Sequence, residues 1–445
     1  MLGVQSAILQ RLADARRETD RLFEIIRPGA IYERPIPERH RIIFYLGHLE
    51  TFDWNLLRDR LLGAHSFDPE FDRLFAFGID PVGGGLPTDQ PGDWPSVAQV
   101  HEYNRRLRQT IDDGLEKVDL ANGSQKDGEF PAALLHNVAI EHRLMHAETL
   151  CYMLHQLPLA EKIPPHNLHP KVRSSQTTKQ IIEIPEGAAT LGLPRNDPSR
   201  FGWDNEYDEH KVAVPAFAID KYKVTNGDYL EFVNAGGYSD QALWREADWK
   251  WRSDQEISYP VFWKKTNGDW LCRTMFEEIP LPLDWPVYVS HAEARAYARW
   301  AGKSLPTEAQ WHRAAYGSPE GSEREYPWGD EAPEESSLRG NFNFAHWDPS
   351  QVSAFPEGQS AFGVTDLIGN GWEWTSTVFA PFAGFRPFPF YPGYSADFFD
   401  GKHYVMKGGS ARTAACMLRR SFRNWFQMHY QYVYAGFRCV SPAGK

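Results

Sequence analysis

The stretch 130–157, FPAALLHNVAIEHRLMHAETLCYMLHQL, is the feature of this sequence that most constrains its fold. Apolar residues recur along it at helical spacing, which predicts the longest helix of the chain. Three further helical patterns precede it at 7–26, 39–63 and 96–118, the second of them weakened locally by Gly47. Four such helices predict a bundle, and bundle cores host metal sites built from facing helices.

Two histidines, His142 and His146, lie four residues apart in this long helix. Four residues advance about 400° around an α-helix, so both imidazoles lie on one face, where they can bind one metal ion. The alternative is a pair of surface histidines, since a chain with 16 histidines contains such pairs by chance. By the same angular argument His136 and Glu148 point away from that face. We expect His136 to support the ligands or to lie at the surface, and Glu148 to form a salt bridge or a hydrogen bond that supports the ligands.

A third candidate ligand, His48, lies in the predicted helix 39–63 and shares a face with Phe44, Phe52 and Leu56. A lone histidine on an apolar face is more often a hydrogen-bonded core residue than a ligand, so both interpretations stay open on this pattern alone. If the bundle brings the helices together, three imidazoles form one face of a coordination sphere. Imidazole suits zinc, iron, copper and nickel, so the ligand type does not name the metal.

Composition and charge argue against several classes of protein. The net charge of −12 and the pI near 5.8 exclude a basic nucleic-acid-binding surface. No run of 18 apolar residues occurs, and the charged N-terminal pattern has no apolar signal core, so we expect neither a membrane span nor secretion. The cysteines are too far apart for a zinc ribbon or a disulfide framework, and they fit a cytoplasmic location: Cys151, Cys272, Cys416 and Cys439.

The pattern changes near residue 160. A segment rich in Pro, Ser and Thr has no periodicity and predicts a linker. After it, short strand patterns alternate with two clear helices, one ended by Gly302 and the other N-capped by Thr307, and loops dominate beyond Tyr316. We therefore expect an α+β protein with these parts: a helical bundle at 1–160, a linker at 161–180 and a second domain at 181–445.

A series of motifs in the second half carries a family resemblance. In chain order they are GKSLPTEAQWHRAAYG, YPWGDE, NFN, GVTDLIGNGWEWTST, VMKGGSA, RRSFRN and GFRCV. From about Ile181 to Val440 this series resembles the formylglycine-generating-enzyme (sulfatase-modifying) domain, a variant of the C-type lectin fold. The first half resembles a DinB-like helical bundle, whose HxxxHxE helix matches His142, His146 and Glu148.

Together the two halves resemble the ergothioneine-biosynthetic sulfoxide synthases over nearly the whole chain. The resemblance implies a non-haem Fe(II) enzyme that uses O2 to join a thiol to C2 of the imidazole of N-α-trimethylhistidine (hercynine) and to oxidise the sulfur. It implies that the iron ligands are His48, His142 and His146. It also implies that Asn424 and Trp425, in FRNWFQMHYQ, bind trimethylhistidine, whose quaternary ammonium is attracted by an aromatic face.

The sequence departs from these families at several positions. Formylglycine-generating enzymes have a CxxxxC pair, and here Cys416 is present but Ser421 replaces the second cysteine. A copper-dithiolate site is therefore incomplete, and we expect Cys416 to be a small buried residue. Met145 stands where the sulfoxide synthases have the glutamine that contacts the substrate imidazole. Gln427 is a candidate for that missing contact.

The expected catalytic tyrosine is also absent. Phe379 and Phe382 occupy the stretch after WEWT where the sulfoxide synthases have it, and a phenylalanine donates no hydrogen bond. A retained proton donor must therefore lie elsewhere. We take Tyr103 and Tyr45 as candidates, with Tyr430, Tyr432 and Tyr434 as further possibilities.

The prediction of the sulfur donor depends on the sequence of a loop in the first domain. Family members that use γ-glutamylcysteine bind its carboxylates there with arginines, whereas GGGLPTDQPGDWPS at 83–96 has two Asp and no Arg. This favours cysteine over γ-glutamylcysteine. Arg420 and its neighbours Arg412, Arg419 and Arg423 are alternative carboxylate binders.

Other functions fit the same architecture. They are a selenoneine-forming relative with a selenium donor, an ovothiol-type histidine sulfoxide synthase, a DinB-like zinc thiol transferase and a non-catalytic lectin-like binding module. Ovothiol-type enzymes usually carry an added methyltransferase domain, which we do not expect after Lys445. The sequence gives no indication of the oligomeric state.

Overall fold

The computed structural model describes residues 2–79, 85–118, 131–165, 178–197, 199–333 and 339–444. The chain divides into two compact units, Met1–Leu168 and His169–Lys445. Most of the predicted linker 161–180 lies outside the described residues. No helix in the described ranges is long and apolar enough to cross a membrane.

The first unit is helical. Its α-helices are α1 (Leu2–Glu24), α2 (Ile42–Leu57), α3 (Pro69–Phe77), α4 (Val97–Leu115) and α5 (Ala132–Gln156). Helix α1 packs against α5, and α2 packs against α3, α4 and α5, so α2 and α5 share the core. The four predicted helices are present, and the second of them continues past α2 as a turn of π-helix at Arg58–Leu62.

Helix α3 was not predicted from the sequence, although its N-terminus follows the ordinary rules. The Asp68 side chain accepts a hydrogen bond from the Phe71 amide, Pro69 occupies the first turn, and Glu70 and Asp72 complement the helix dipole. Asp68 followed by Pro69 is also a pattern of turns, so these end signals alone did not distinguish the helix from a loop.

Gly47 explains how α3 approaches α2 so closely. A Cβ built on Gly47 would lie 2.3 Å from Cδ1 and 2.5 Å from Cε1 of the Phe75 ring. The glycine that weakens the helical pattern of α2 therefore makes room for α3. This contact brings the backbone of α3 beside His48, the next residue of α2.

The second unit contains four α-helices in the described residues, α6 (Asn226–Asn234), α7 (Glu246–Asp254), α8 (His291–Trp300) and α9 (Glu308–Tyr316). The two helices predicted in this half are confirmed as α8 and α9. Gly302 follows α8 with φ at +67°, a left-handed conformation that favours glycine. The Thr307 hydroxyl caps α9 by accepting from the Gln310 amide at 3.1 Å.

Within the described residues of this unit, short strands form four small sheets. The strands are β1 (Ile181–Ile184), β2 (Gly187–Leu191), β3 (His210–Val214), β4 (Phe217–Asp220), β5 (Trp263–Thr266), β6 (Asp269–Arg273), β7 (Glu278–Pro280), β8 (Trp372–Val378), β9 (His403–Lys407), β10 (Asn424–Gln427), β11 (Ala435–Gly436) and β12 (Val440–Pro442). The sheet orders are β1-β4-β12, β10-β9-β8-β11, β2-β3 and β5-β6-β7. All pairings are antiparallel except β11 with β8. The predicted α+β class is confirmed.

A buried ion pair connects two of the motifs of this half. Arg438, from GFRCV, donates to both oxygens of Glu373, from WEWT, at 2.6 and 2.9 Å, and both side chains are fully buried. Burial opposes ionisation of the carboxyl, but the guanidinium outweighs it and lowers the pKa of Glu373. Arg438 also bonds the carbonyl of Lys221, so it links β8 to the chain beside β4.

We expect Gly47→Ala to destabilise the first unit by about 1–3 kcal/mol, because the new methyl group overlaps the Phe75 ring in a packed core. Urea unfolding followed by the helical circular dichroism signal measures the loss. Gly29→Ala is the matched control, since a Cβ there meets no atom within 4 Å. Equal stability of the two variants would contradict the proposed role of Gly47.

Candidate metal centre and aromatic strip

Three histidines of the first unit point their Nε2 atoms at one another. His48 lies on α2, and His142 and His146 lie one turn apart on α5. The His48 and His146 Nε2 atoms are 3.2 Å apart, and so are those of His146 and His142. Within the described residues this is the group of three side chains whose nitrogen, sulfur or carboxylate atoms lie close enough to hold a metal ion.

A hydrogen bond to α3 fixes the tautomer of His48. Its Nδ1 lies 2.7 Å from the carbonyl oxygen of Phe75 and donates a proton to it, which leaves the Nε2 lone pair directed at the other two rings. The close approach permitted by Gly47 brings that carbonyl into reach. A metal-binding histidine typically has its other ring nitrogen held in this way.

Burial favours the neutral form of all three imidazole rings. It lowers the pKa of His48 to about 4, in spite of the bond to Phe75. Burial, followed by the mutual repulsion of the imidazoles, holds the pKa of His142 and of His146 well below the usual range. Neutral imidazole is the form that binds a metal ion, so the centre is ready to bind at physiological pH.

The distances fit a single ion. Two nitrogens bound to one ion at about 2.1 Å with a right angle between them lie about 3.0 Å apart. The two observed separations of 3.2 Å are close to that value. A shared cation would satisfy three converging lone pairs in a buried site, whereas hydrogen bonds among three neutral rings satisfy fewer of them.

Aromatic rings surround this centre. Phe52 stacks on His142 with ring centroids 3.3 Å apart, and Phe44 stacks on His48 at 4.7 Å. His48 and His142 are buried, whereas His146 is partly exposed, so the centre is reached at His146. Met145, the neighbour of His146, is also partly exposed.

The two tyrosines predicted to be catalytic differ in position. Tyr45 lies beside His146, with ring centroids 5.7 Å apart, and burial raises the pKa of Tyr45 to about 12. The Tyr103 hydroxyl instead donates to Asp72 at 2.6 Å and accepts from Thr51 at 3.2 Å. Their catalytic roles stay predictions.

Three of the predicted substrate residues of the second unit, Asn424, Trp425 and Gln427, lie on β10. Alternation along a strand places Trp425 and Gln427 on one face and Asn424 on the other. The Asn424 side chain turns back to accept from the Trp425 amide at 2.8 Å. Gln427 is exposed, and Trp425 is partly exposed.

Trp425 belongs to an ordered aromatic group, here called the aromatic strip. Phe379 lies parallel to it, with centroids 4.2 Å and planes 6° apart, and the edge of Tyr394 approaches at 5.4 Å. The Arg423 guanidinium lies 5.1 Å from the Phe379 centroid. Phe379 therefore fixes the plane of Trp425 instead of supplying a polar group.

The four arginines considered as carboxylate binders all have partners inside the second unit. These partners are Glu206 for Arg419, Glu323 for Arg420, Glu308 for Arg423, and the carbonyls of Phe344 and His346 for Arg412. All four guanidinium groups therefore already bind groups of the second unit itself. Substrate binding by Arg420 stays a prediction.

The structure corrects two expectations. Cys416 is exposed, not buried, because it lies in a short 3-10 turn at the surface, while Ser421 is buried and donates to Glu206 at 2.6 Å. His136 points away from His142 and His146 as predicted, but it is buried and its Nε2 donates a hydrogen bond to the carbonyl of Ile8 on α1 at 3.0 Å.

Sequence reasoning also missed a buried charged group next to the ligands. Arg143, adjacent to His142, contacts Glu50 and Asp53 of α2 at 2.9 and 2.6 Å. The run HLETFD does carry a signal, since two acids interrupt an otherwise apolar helix. This fold and centre define a class of protein. Its members have a helical bundle with three converging histidines, followed by a sheet-rich second unit.

Comparisons with known proteins name that class. The sulfatase-modifying factor enzyme 1-like domain matches residues 167–443, and the DinB superfamily matches residues 11–150. Hercynine oxygenase of Mycolicibacterium smegmatis is 32% identical over 450 residues, covering 98% of each chain. The enzyme of the same name from Mycolicibacterium thermoresistibile is 30% identical over 445 residues, covering 98% of this chain and 94% of the relative.

A third relative has a higher sequence identity over a shorter stretch of the chain. Hercynine oxygenase of Mycobacterium tuberculosis is 40% identical over 238 residues, which are 53% of this chain and 55% of the relative. The chain belongs to the hercynine oxygenase family. The matches to the two family models confirm the predicted order of a DinB-like bundle and a formylglycine-generating-enzyme-like domain, and the relatives confirm the prediction of an enzyme. The predicted domain bounds stay predictions.

We expect His142→Ala to lose stoichiometric metal binding while the chain stays folded, because two imidazoles remain where three converge. The measurement is metal content after anaerobic loading with Fe(II) or Co(II) and gel filtration, with circular dichroism as the test of folding. His101→Ala, which changes an exposed histidine on α4, is the control and should retain the metal. Full metal content in His142→Ala would show that the ligand assignment is wrong.

Proposed function

We propose that this protein is a non-haem Fe(II), O2-dependent sulfoxide synthase that joins a thiol to C2 of the imidazole of N-α-trimethylhistidine. The observation that carries the proposal is the convergence of three imidazoles in a bundle whose relatives, matched over nearly their whole length, are named hercynine oxygenases. His48, His142 and His146 would hold the iron through Nε2. Iron(II), when bound there, activates O2 and also lowers the pKa of a bound thiol, so that the thiolate is available at neutral pH.

The reaction balances with O2 as the only oxidant. One thiol S–H bond and one imidazole C2–H bond break, one C–S bond and one S=O bond form, and water takes up the second oxygen atom and both hydrogens. O2 accepts four electrons, two released by formation of the C–S bond and two by oxidation of the sulfur. A further redox cofactor is therefore unnecessary.

The aromatic strip is our candidate for recognition of the trimethylammonium group. A quaternary ammonium offers no N–H donor, and an aromatic face attracts it by cation–π contact. Stacking on Phe379 orients the Trp425 ring in advance, which reduces the entropy lost on binding. This supports trimethylhistidine over unmethylated histidine as the substrate.

We propose cysteine over γ-glutamylcysteine as the thiol donor. The first-unit loop expected to bind the second carboxylate contributes Asp89, a buried acid. Arg41 and the Trp94 indole bond it at 2.9 and 2.7 Å, and Arg34 pairs with its other oxygen. Asp89 thus offsets one of the two arginine charges, and the loop at 83–96 itself contributes no arginine.

The test is O2 uptake by the Fe(II)-loaded protein with trimethylhistidine and one donor at a time: cysteine, γ-glutamylcysteine or a selenium donor. We expect uptake that requires both trimethylhistidine and cysteine, with a sulfoxide product identified by mass. The metal-free protein is the control. Histidine replaces trimethylhistidine in a parallel series.

The outcomes separate the alternatives. Uptake with histidine in preference to trimethylhistidine would favour an ovothiol-type enzyme. Uptake only with a selenium donor would make the protein a selenoneine-forming relative. No uptake with any pair, despite bound iron, would overturn the proposed activity.

Replacing Trp425 by Leu should weaken trimethylhistidine binding on the order of tenfold, because the cation–π contact is lost, while Trp425→Phe should retain part of it. Isothermal titration of the metal-loaded protein without O2 measures both dissociation constants. Trp328→Leu is the control, since that ring stacks on Tyr326 elsewhere in the unit. Equal weakening of trimethylhistidine and histidine by Trp425→Leu would exclude ammonium recognition.

A further inference from the structure

The metal ligands come from two helices, so their geometry depends on how α2 and α5 are held. Both helices are rich in apolar residues, and apolar packing is not directional. A slip of one helical turn would move a side chain by about 5.4 Å along the axis. The ligand nitrogens are only 3.2 Å apart, so the centre tolerates far less displacement than that.

Arg143 makes directional bonds between the two helices. Its Nη1 donates to Glu50 Oε1 at 2.9 Å, and its Nη2 donates to Asp53 Oδ2 at 2.6 Å and to the carbonyl of Leu49 at 2.8 Å. All three side chains, Arg143, Glu50 and Asp53, are almost completely buried. We call these three residues the arginine clamp.

The arginine clamp is directly connected to a ligand on each helix. Arg143 follows His142 in α5, and Leu49, whose carbonyl it bonds, follows His48 in α2. One guanidinium therefore joins the residues adjacent to two of the three ligands. The planar fork of arginine fixes both the distance and the angle of these bonds.

A buried ion pair is not the cheapest way to hold two helices together. Desolvation of both charges offsets most of their attraction, and well-packed apolar residues of similar volume are often as stabilising or more so. What the ion pair adds is direction. The charged side chains are nonetheless buried in the core beside the proposed metal centre. We attribute this to the fixed direction of the bonds that they make between the two helices.

We propose that Arg143 is a positioning residue for the metal centre, acting through Glu50, Asp53 and the Leu49 carbonyl to set the register of His48 against His142. The proposal rests on the proposed metal-dependent function. It assigns the arginine clamp to ligand geometry and not merely to stability. The expected consequence is on metal affinity, since partners that orient ligands are typically worth 10- to 100-fold in metal binding.

The test replaces the buried pair by apolar residues in the double variant Arg143→Met with Asp53→Leu. This removes the directional bonds without leaving Asp53 as an unpaired buried charge. Glu50 keeps Arg108 as a partner at 2.7 Å. We expect the double variant to fold, to bind Co(II) at least tenfold more weakly than wild type, and to show a changed Co(II) d–d absorption spectrum.

Arg108→Met is the matched control. Arg108 bonds the same oxygen of Glu50, and it also pairs with Asp20 of α1, but it is not adjacent to a ligand. We expect this variant to lose stability in urea while keeping the wild-type Co(II) affinity and spectrum. Arg143→Lys, which keeps the charge without the fork, should give an intermediate affinity and serves as the test if the double variant does not fold.

The outcomes distinguish the two proposals. Wild-type protein that binds no Co(II) would overturn the metal centre and the positioning role together. A folded double variant, or Arg143→Lys in its place, with wild-type affinity and spectrum would overturn only the positioning role of Arg143. An equal loss of affinity in Arg108→Met would also overturn it, because the effect would then follow stability and not the connection to the ligands.

Discussion

The packing of α2 against α5 is the constraint on which the proposed metal centre depends. It brings one histidine of α2 within 3.2 Å of a histidine pair that α5 presents on a single face. Gly47 contributes by letting α3 approach, so that a backbone carbonyl can hold the His48 ring in one tautomer. Burial by the surrounding aromatic rings then keeps the imidazoles neutral.

The second unit is stabilised in a different way from the helical bundle. Its strands are short and its loops long, so regular hydrogen bonding alone leaves much of the chain unfixed. Buried charged side chains make up for this, as in the bidentate pair of Arg438 with Glu373. Several motifs that identify the family are therefore parts of its internal framework. The aromatic strip on β10 is built on that framework, with the plane of Trp425 set by Phe379.

Much of this arrangement could be predicted from the sequence, and the exceptions have physical reasons. The long helices follow from apolar periodicity, and the pairing of His142 with His146 follows from the pitch of the helix. Helix α3 escaped prediction because its start, Asp68 followed by Pro69, is also a pattern of turns. The exposure of Cys416 could not be foreseen, because a small apolar residue in a loop carries no pattern that reports burial.

The sequence by itself determined the order of the two halves, their fold class and the presence of two histidines on one helical face, because these depend on local spacing and on motifs in a fixed order. The family resemblance named His48 as a third ligand, but only the tertiary structure showed that it lies beside that pair, that Phe75 fixes its tautomer and that Arg143 connects the two helices. Residues distant in sequence meet there through helix packing, and local periodicity specifies the face that a helix buries but not its partner.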